Sequence, residues 1–349
     1  MGSSSLVSVV TPFFNTRQFL TECIESVLSQ TYENWEYVLV DNCSSDGSAE
    51  IARSYAARFP GKIRLVTTET FLSQVQNYNF ALTCISPESK YCKMVQADDW
   101  IYPECLARMV ALGEANPSIG IICSYYLNGN KVDGFGLPVP DFDPAHLARL
   151  ISGKRMAQFF LRTRTYVFGT PTTVMYRSSL VRSQQPFYDE SLLHEDTEKC
   201  MQILQHWDFG FVHEVLSFLR TQQDSITSAA RDLEPIALDW YITVQRYAPV
   251  FLEGEEADVL KRKSRAEYYS ALAYQALQLR DSKFWQYHKS GLKTLGETLD
   301  VSYLALKVCQ QMLWMVANPG ETAGRVKRFL KRATNQHPRA SSPSVSVGP

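Results

Sequence analysis

The chain has 349 residues, of which 45% are hydrophobic and 20% charged, and 35 basic side chains stand against 36 acidic ones for a net charge of −1. This composition excludes a disordered or fibrous protein, and it gives no overall positive field that would attract nucleic acid. The length allows one large domain with an appendage, or two domains.

The first 95 residues alternate short apolar runs with helical patterns. Strands are predicted at 6–11 and 36–41, and helices are predicted between them and after the second strand, near 48–58. The first helix has an apolar stripe at i, i+3, i+4, i+7 and i+8, made of Leu20, Cys23, Ile24, Val27 and Leu28. The pattern continues with a strand at 62–67, a helix near 73–85 and a strand in "YCKMVQ". We therefore predict an α/β fold with a doubly wound, mostly parallel sheet and right-handed crossovers.

Three stretches that contain polar residues stand at the ends of predicted strands. They are Thr11-Pro12-Phe13, Asp41-Asn42 and Asp98-Asp99. Ligands of such sheets bind beyond the carboxyl ends of the strands, so we expect the three stretches to form one site.

The rest of the chain divides into a mixed region and a helical one. Residues 100–225 contain short apolar runs such as "IGIICSYY", "TTVMY" and "FGFVHEVLSFL", which predict the second half of the sheet and an acceptor-facing region. Almost everything after 233 has a helical pattern, and the last residues have the composition of a disordered tail. The predicted organisation is a domain at 1–230 (halves 6–125 and 126–230), a helical region at 231–332 and a tail at 333–349.

An ordered set of motifs resembles the family 2 glycosyltransferases over residues 6–228. The set comprises Pro12 with Asn15, the run "SVLSQT" at 26–31, and Asp41 with "SDGS" at 45–48. The resemblance implies a GT-A fold and an inverting transferase that moves a sugar from a nucleotide diphosphate, expected to be UDP, to a hydroxyl. A glycan or lipid-linked acceptor is implied, as in cell-surface polysaccharide synthesis.

The resemblance also implies which residues bind the donor. They are Thr11, Pro12, Phe13, Asn15, Asp41, Asn77, Ala97, Asp98, Asp99 and Arg220. "QADDW" is similar to the family's DxD motif, with Asp99 as ligand of Mg²⁺ or Mn²⁺ and Asp98 near the ribose or the donor sugar, because hard cations prefer carboxylate oxygens and bridge to phosphate.

Three positions depart from the family pattern. Gln76 replaces an arginine, Gln96 replaces a further acid, and Gln222 replaces a histidine ahead of the expected Ser225. Gln96 and Gln222 leave open whether the metal is strictly required, and Gln76 leaves open the diphosphate contacts of its segment.

The segment "FYDESLLHEDTEKCMQIL" is similar to the family's stretch that carries the base. On this match Asp196 removes the proton from the acceptor hydroxyl, and Glu195 points elsewhere. The loop that holds Gly169, Thr170 and Pro171 is expected to approach the acceptor sugar.

Each residue also has a purely structural interpretation. Asp41 suits an Asx turn, Asp98-Asp99 a turn that caps the helix near Pro103, and Asp196 the positive end of a helix dipole. Arg220 suits a structural ion pair, and Trp100 suits packing on its own helix instead of stacking on a sugar.

Two other classes of function remain open from the sequence. A sugar nucleotidyltransferase has a sheet of this kind but usually opens with a glycine-rich phosphate loop, and "TPFFNTRQF" has no glycine. A catalytically degenerate binding or scaffold protein is consistent with Gln96 and Gln222.

Cysteine usage and the apolar segments predict the location. Eight scattered cysteines without a zinc-like spacing indicate a reducing, cytoplasmic compartment. The N-terminal stretch lacks the features of a signal peptide, and "YLALKVCQQMLWMVA" is too polar and too short to span a membrane. The basic segment 325–332 suits either a peripheral contact with the inner face of the membrane or a solvated helix end.

Overall fold

The computed structural model describes residues 4–129, 150–190, 195–220 and 233–320, together with the backbone of 131–133. The helices and strands of these residues build one large mixed sheet with helices on its two faces, followed by a helical region.

The first half of the sheet has the predicted elements. The strands are β1 (Val7–Phe13), β2 (Trp35–Asp41), β3 (Ile63–Thr67) and β4 (Tyr91–Met94), and the helices are α1 (Leu20–Leu28), α2 (Ser48–Arg58) and α3 (Gln74–Thr83). β1 pairs in parallel with β2 on one side and β4 on the other, and β2 pairs in parallel with β3. The predicted doubly wound arrangement is confirmed.

The second half completes the sheet with strands of both directions. Its strands are β5 (Trp100–Ile101), β6 (Ile119–Asn128), β7 (Lys131–Asp133), β8 (Leu150–Ile151), β9 (Met175–Arg177) and β10 (Asp208–Leu219). The order is β3-β2-β1-β4-β9-β6-β10-β5, with β7 on β6 and β8 on β10. The long pair β6 and β10 is parallel, whereas β9 runs antiparallel to β4 and β6. Most paired residues lie in the parallel pairs β1–β2, β1–β4, β2–β3 and β6–β10, so the expected mostly parallel sheet is confirmed.

Alternation along the strands creates two separate cores. Val9 and Leu39 point to the face covered by α1 and α4 (Cys105–Ala115), and Val10 and Val38 point to the opposite face. That opposite face is covered by α3, α5 (Gly153–Thr163) and α6 (Ser178–Ser183). Since successive strand side chains point to opposite faces, apolar runs without polar interruption are what a sheet buried on both sides requires.

The remaining helices are α7 (Glu195–Ile203), α8 (Pro235–Phe251), α9 (Glu255–Leu277), α10 (Ser282–Lys293) and α11 (Val301–Ala317). The expected helical C-terminal region is present. The chain separates into two compact units, Met1–Arg262 and Lys263–Pro349. In the first unit Tyr247 and Phe251 of α8 belong to the core of the sheet domain. The boundary near 230 stays a prediction.

In the second unit, buried polar contacts join the helices. The Tyr268 hydroxyl lies 3.0 Å from Nδ1 of the buried His288, and Asp300 N–H donates to the Tyr269 hydroxyl at 2.9 Å. Among the described helices none is both long and apolar enough to cross a membrane. The segments 325–332 and 333–349 lie outside the described residues.

Candidate active site

The strand ends that carry the predicted site residues meet at one edge of the sheet. Phe13 lies beside Asp41 in the register of β1 and β2, and Val10 lies beside Met94 in that of β1 and β4. Thr11-Pro12-Phe13, Asp41 and the Ala97–Asp99 segment after β4 therefore lie at the same edge, as the sequence predicted.

A network of short hydrogen bonds joins the loops that follow β1 and β2. Ser45 N–H donates to Oδ1 of Asn15 at 2.8 Å, and Arg17 N–H donates to Oδ2 of Asp46 at 2.9 Å. Asn15 has a left-handed backbone (φ 49°), which asparagine tolerates better than most residues. The carbonyl oxygen of the Asn15 side chain is thus used to hold the two loops together.

The other strand-end residues are mostly buried. Asp41 is 3% exposed, and its Oδ1 accepts a hydrogen bond from Ser44 N–H at 3.0 Å, the contact of an Asx turn. The Thr11 hydroxyl bonds the Tyr37 hydroxyl at 2.9 Å within the core. Any contact from Thr11 to a ligand would therefore come from its main chain.

Two exposed aromatic rings were missed by the sequence analysis. Phe14 follows β1 and Phe71 follows β3, their ring centroids are 4.8 Å apart, and they are 42% and 61% exposed. The available signal was a pair of aromatic residues soon after two predicted strands, because a contiguous exposed apolar patch often marks a binding surface.

Asn77 has an unsatisfied acceptor atom. It lies in the first turn of α3, is 4% exposed, and its Oδ1 accepts no hydrogen bond from the described residues. A buried polar atom without a partner is costly, so this atom fits a ligand that supplies a donor. The adjacent Gln76 donates to Oε2 of Glu190 at 3.2 Å.

Both carboxylate oxygens of Asp99 are held by the protein. The Thr172 hydroxyl donates to Oδ2 at 2.6 Å, and Arg220 N–H donates to Oδ1 at 3.0 Å. Burial, and next the charge of Asp98, raise the pKa of Asp99 to about 7. Burial also raises the pKa of Asp98, which is less buried than Asp99 and is the more accessible carboxylate of the pair.

A cation at this pair would need further ligands. Among the residues that the structure describes, no group of three or more His, Cys, Asp or Glu side chains is arranged to hold a metal. Two adjacent carboxylates nevertheless fit Mg²⁺ or Mn²⁺, since such ions commonly take one or two protein carboxylates and complete their shell with phosphate oxygens and water. Gln96 adds no charge, and its side chain donates to the Tyr78 hydroxyl at 2.7 Å.

Arg220 connects the acidic pair to helix α1. Its Nε donates to the Asp98 carbonyl at 3.1 Å, and its guanidinium pairs with Glu22 at 2.5 Å. The guanidinium also lies 5.3 Å from the ring of Trp100, which stacks on Phe218 with centroids 3.8 Å apart. Trp100 therefore packs on strand β10, and Arg220 already has a structural partner. Gln222 and Ser225 lie outside the described residues.

Asp196 opens into a pocket of about 490 Å³. It stands in the first turn of α7, where Thr197 N–H donates to its Oδ1 at 2.7 Å. The Tyr166 hydroxyl donates to the Gly169 carbonyl at 2.6 Å and lies 3.4 Å from Oδ2 of Asp196. Tyr166 as a whole is 39% exposed, but the burial of its hydroxyl end, and next the charge of Asp196, raise its pKa well above the usual value, so this phenol stays protonated.

The pocket joins predicted residues to unpredicted ones. Gly169, Thr170 and Pro171 line it as expected, and Glu195 lines it together with Asp196, although only one of these two acids was expected there. The remaining lining residues come from α3, the segment after β4, α5 and the loop after it, α7 and α8: Gln74, Tyr78, Gln96, Phe160, Arg164, Tyr166, Thr197, Ile236, Asp239, Trp240 and Thr243.

Asp41, Asp98 and Asp99 do not line this pocket. The connection runs through Thr172 and Gln96, because Gln96 N–H donates to the Thr172 hydroxyl at 3.0 Å while that hydroxyl donates to Asp99. The α8 residues were missed because only the fold brings that helix beside Asp196.

Comparisons with known proteins identify the family of this chain. The family model "Glycosyl transferase family 2" matches residues 8–183. Among curated proteins, the putative glycosyltransferase EpsE of Bacillus subtilis is 36% identical over 114 residues, which are 33% of this chain and 40% of EpsE.

Two solved structures share the fold. S. aureus TarS 1-349 in complex with UDP-GlcNAc has a TM-score of 0.57 at 18% identity and covers 82% of this chain and 79% of its own. The mannosyltransferase PcManGT of Pyrobaculum calidifontis in complex with GDP-Man and Mn²⁺ has a TM-score of 0.53 at 14% identity. The match covers 96% of this chain and 88% of the PcManGT chain.

Proposed function

Because the chain belongs to glycosyl transferase family 2 and is a glycosyltransferase, we propose that it transfers a sugar with inversion from a UDP-sugar to a hydroxyl group, with Asp196 as the base. The observation that carries this proposal is the pocket in which Asp196 meets Gln96, the residue that leads into Ala97-Asp98-Asp99.

The donor is proposed to lie along the edge where β1, β2 and β4 end. Asp41 and the main chain of Thr11–Phe13 are adjacent there, and the exposed rings of Phe14 and Phe71 flank the same loops. A carboxylate can accept the imide N–H of uracil, and aromatic rings offer faces to a base. The unsatisfied Oδ1 of Asn77 supplies an acceptor for a donor hydroxyl.

The diphosphate is proposed to lie against Asp98 and Asp99 with a divalent cation. We expect Asp98 to make the direct contact, because it is the more exposed of the two acids, while the hydrogen bonds from Thr172 and Arg220 orient Asp99 beside it. When bound, Mg²⁺ or Mn²⁺ offsets the charge that builds on the departing diphosphate. The Mn²⁺ in the PcManGT complex supports this assignment, and the UDP-GlcNAc in the TarS complex supports a UDP-sugar.

Asp196 is proposed to take the proton of the acceptor hydroxyl while the oxygen of that hydroxyl attacks the anomeric carbon of the donor sugar. Its Oδ1 is held by Thr197 N–H, and the protonated Tyr166 hydroxyl lies beside Oδ2, so the carboxylate is oriented toward the pocket. A single displacement from the face opposite the diphosphate inverts the configuration. Positioned bases of this kind contribute about 10²–10⁴ in rate.

The test compares Asp196→Asn with a matched control, Asp258→Asn, which changes an exposed acid of α9. UDP binding with Mn²⁺ is measured by thermal shift, since a ligand that binds only the folded chain raises its melting temperature. Transfer is measured as UDP release from UDP-glucose, UDP-galactose and UDP-GlcNAc with saccharide acceptors.

Asp196→Asn should bind UDP like the unmodified chain and lose transfer by at least about 10²-fold. The control Asp258→Asn should keep both UDP binding and transfer. Transfer within a factor of ten of the unmodified chain would show that another group is the base. If UDP gives no shift with or without Mn²⁺, the donor assignment is wrong.

A further inference from the structure

We propose that the 490 Å³ pocket beside Asp196 is an acceptor site for an uncharged pyranoside, with Trp240 of α8 as the platform on which the sugar ring stacks. This inference rests on the proposed function, because it assigns the acceptor side of the same site. It adds a substrate class and a helix that lies outside residues 8–183, the segment matched by the family model.

The first argument is the aromatic character of one wall. Trp240 is partly buried, and its ring meets the Phe160 ring edge to face at 5.8 Å. Phe160 in turn lies 6.5 Å from Tyr166, whose hydroxyl lies beside Asp196. Three rings on one wall thus lead to the proposed base. Aromatic faces pack against the apolar C–H face of a pyranose, and the tryptophan ring offers the largest such face.

The second argument is that Trp240 is held in place. The Arg164 guanidinium lies 4.8 Å from its ring centroid, and α8 is anchored below it by the buried Tyr247 and Phe251. Arg164 has a left-handed backbone (φ 57°) at the end of α5, an unfavourable conformation for a long side chain. A ring fixed by neighbours loses little entropy when a sugar stacks on it.

The third argument is charge, which selects the class of acceptor. Among the described residues that line the pocket, the three carboxylates of Glu195, Asp196 and Asp239 outnumber the one guanidinium, that of Arg164. This excess of negative charge opposes a uronate or a phosphate near the reacting hydroxyl, since like charges at close range in a partly desolvated site repel. A neutral sugar is not repelled, and its hydroxyls find acceptors on the same carboxylates.

The test uses methyl β-D-glucopyranoside, methyl β-D-galactopyranoside and methyl N-acetyl-β-D-glucosaminide as neutral probes, with D-glucuronate as the anionic counterpart. Binding is measured by saturation-transfer NMR and by tryptophan fluorescence, in the presence of UDP and Mn²⁺. The variants are Trp240→Ala and Trp240→Phe, and the matched control is Trp285→Ala, which removes a partly buried tryptophan that does not line the pocket.

At least one neutral pyranoside should bind the unmodified chain and the Trp285→Ala control, with D-glucuronate at least tenfold weaker. Trp240→Ala should weaken the neutral sugar at least tenfold, and Trp240→Phe should restore part of the affinity. Where transfer is measurable, the acceptor KM should rise more than kcat falls, which a general loss of folding would not produce.

The inference is overturned if no neutral probe binds, if D-glucuronate binds as well as the neutral sugars, or if Trp240→Ala leaves their affinity unchanged. UDP binding separates this failure from that of the proposed function. A chain that binds UDP but shows one of these three results keeps its donor assignment and loses the acceptor assignment.

Discussion

The Thr172 side chain offers a sharp test of how the acidic pair is held. This residue is fully buried, and its hydroxyl donates to Oδ2 of Asp99 at 2.6 Å. The hydroxyl oxygen of Thr172 also accepts a hydrogen bond from Gln96 N–H at 3.0 Å. Thr172→Val keeps the shape of the side chain and removes both hydrogen bonds. Lys93 continues to donate to the Thr172 carbonyl, so the backbone of the loop stays anchored.

The expected cost is worked from these two contacts. Above its pKa of about 7 Asp99 is ionised, and a hydrogen bond to such a charged group contributes about 1.5–3 kcal/mol, while a buried N–H left without a partner costs about 1–3 kcal/mol. We therefore expect the free energy of unfolding to fall by about 3 kcal/mol in Thr172→Val. Thr172→Ser keeps the hydroxyl and should lose about 1 kcal/mol for the missing methyl group.

Urea unfolding followed by tryptophan fluorescence measures the difference. The matched control is Thr83→Val: this hydroxyl donates to the Phe80 carbonyl at the exposed end of α3, so its loss should change stability by less than about 0.5 kcal/mol. If the free energies of unfolding of Thr172→Val and Thr172→Ser both lie within about 0.5 kcal/mol of that of the unmodified chain, the hydroxyl does not hold Asp99 as described.

Two further predictions concern the interior of the sheet domain. Burial lowers the pKa of Lys199 to about 8 against the opposing charge of Glu198, so between pH 8 and 10 the unfolded chain binds the extra proton and stability rises with pH. The stability advantage of Lys199→Met over the unmodified chain should therefore shrink by about 2 kcal/mol over that interval, as measured by urea unfolding at each pH. A flat difference would contradict the assigned pKa. Gly153→Ala places a Cβ 2.1 Å from the Trp207 carbonyl oxygen and 2.3 Å from that of Leu204, so it should destabilise the chain by about 3 kcal/mol in the same assay, and an unchanged midpoint would show that α5 shifts freely.

The sequence predicted those features that depend on local periodicity. The stripe from Leu20 to Leu28 predicted α1, and the apolar runs predicted β1 to β4, because a side chain buried on a helix or a strand recurs with a fixed spacing. The rule that ligands bind at the carboxyl ends of parallel strands then placed Asp41 and Asp99 at one edge, which the strand register confirms.

The sequence did not predict what occupies those carboxylates. Thr172 is 73 positions from Asp99, and Arg220, whose N–H donates to the other Asp99 oxygen, is 121 positions from it. Each of these contacts depends on where the chain returns after a long excursion, and a single threonine or arginine in a sequence carries no sign of its distant partner. Trp240 was missed for the same reason, since its helical pattern predicts a buried stripe and not the pocket beside it.

Two side chains of the motifs that identify the family hold loops at the acidic edge. Gln30 of "SVLSQT" donates to the Tyr102 carbonyl at 2.8 Å and accepts from Leu106 N–H, so it holds the segment that follows Asp99. Asn15 similarly holds the loop after Asp41 through Ser45. An ordered set of motifs is specific because each piece needs another to fix a loop around the acidic edge. These motifs identify the family without naming the acceptor. The wall that we propose to contact the acceptor includes α8, and that helix lies outside the motifs and outside residues 8–183.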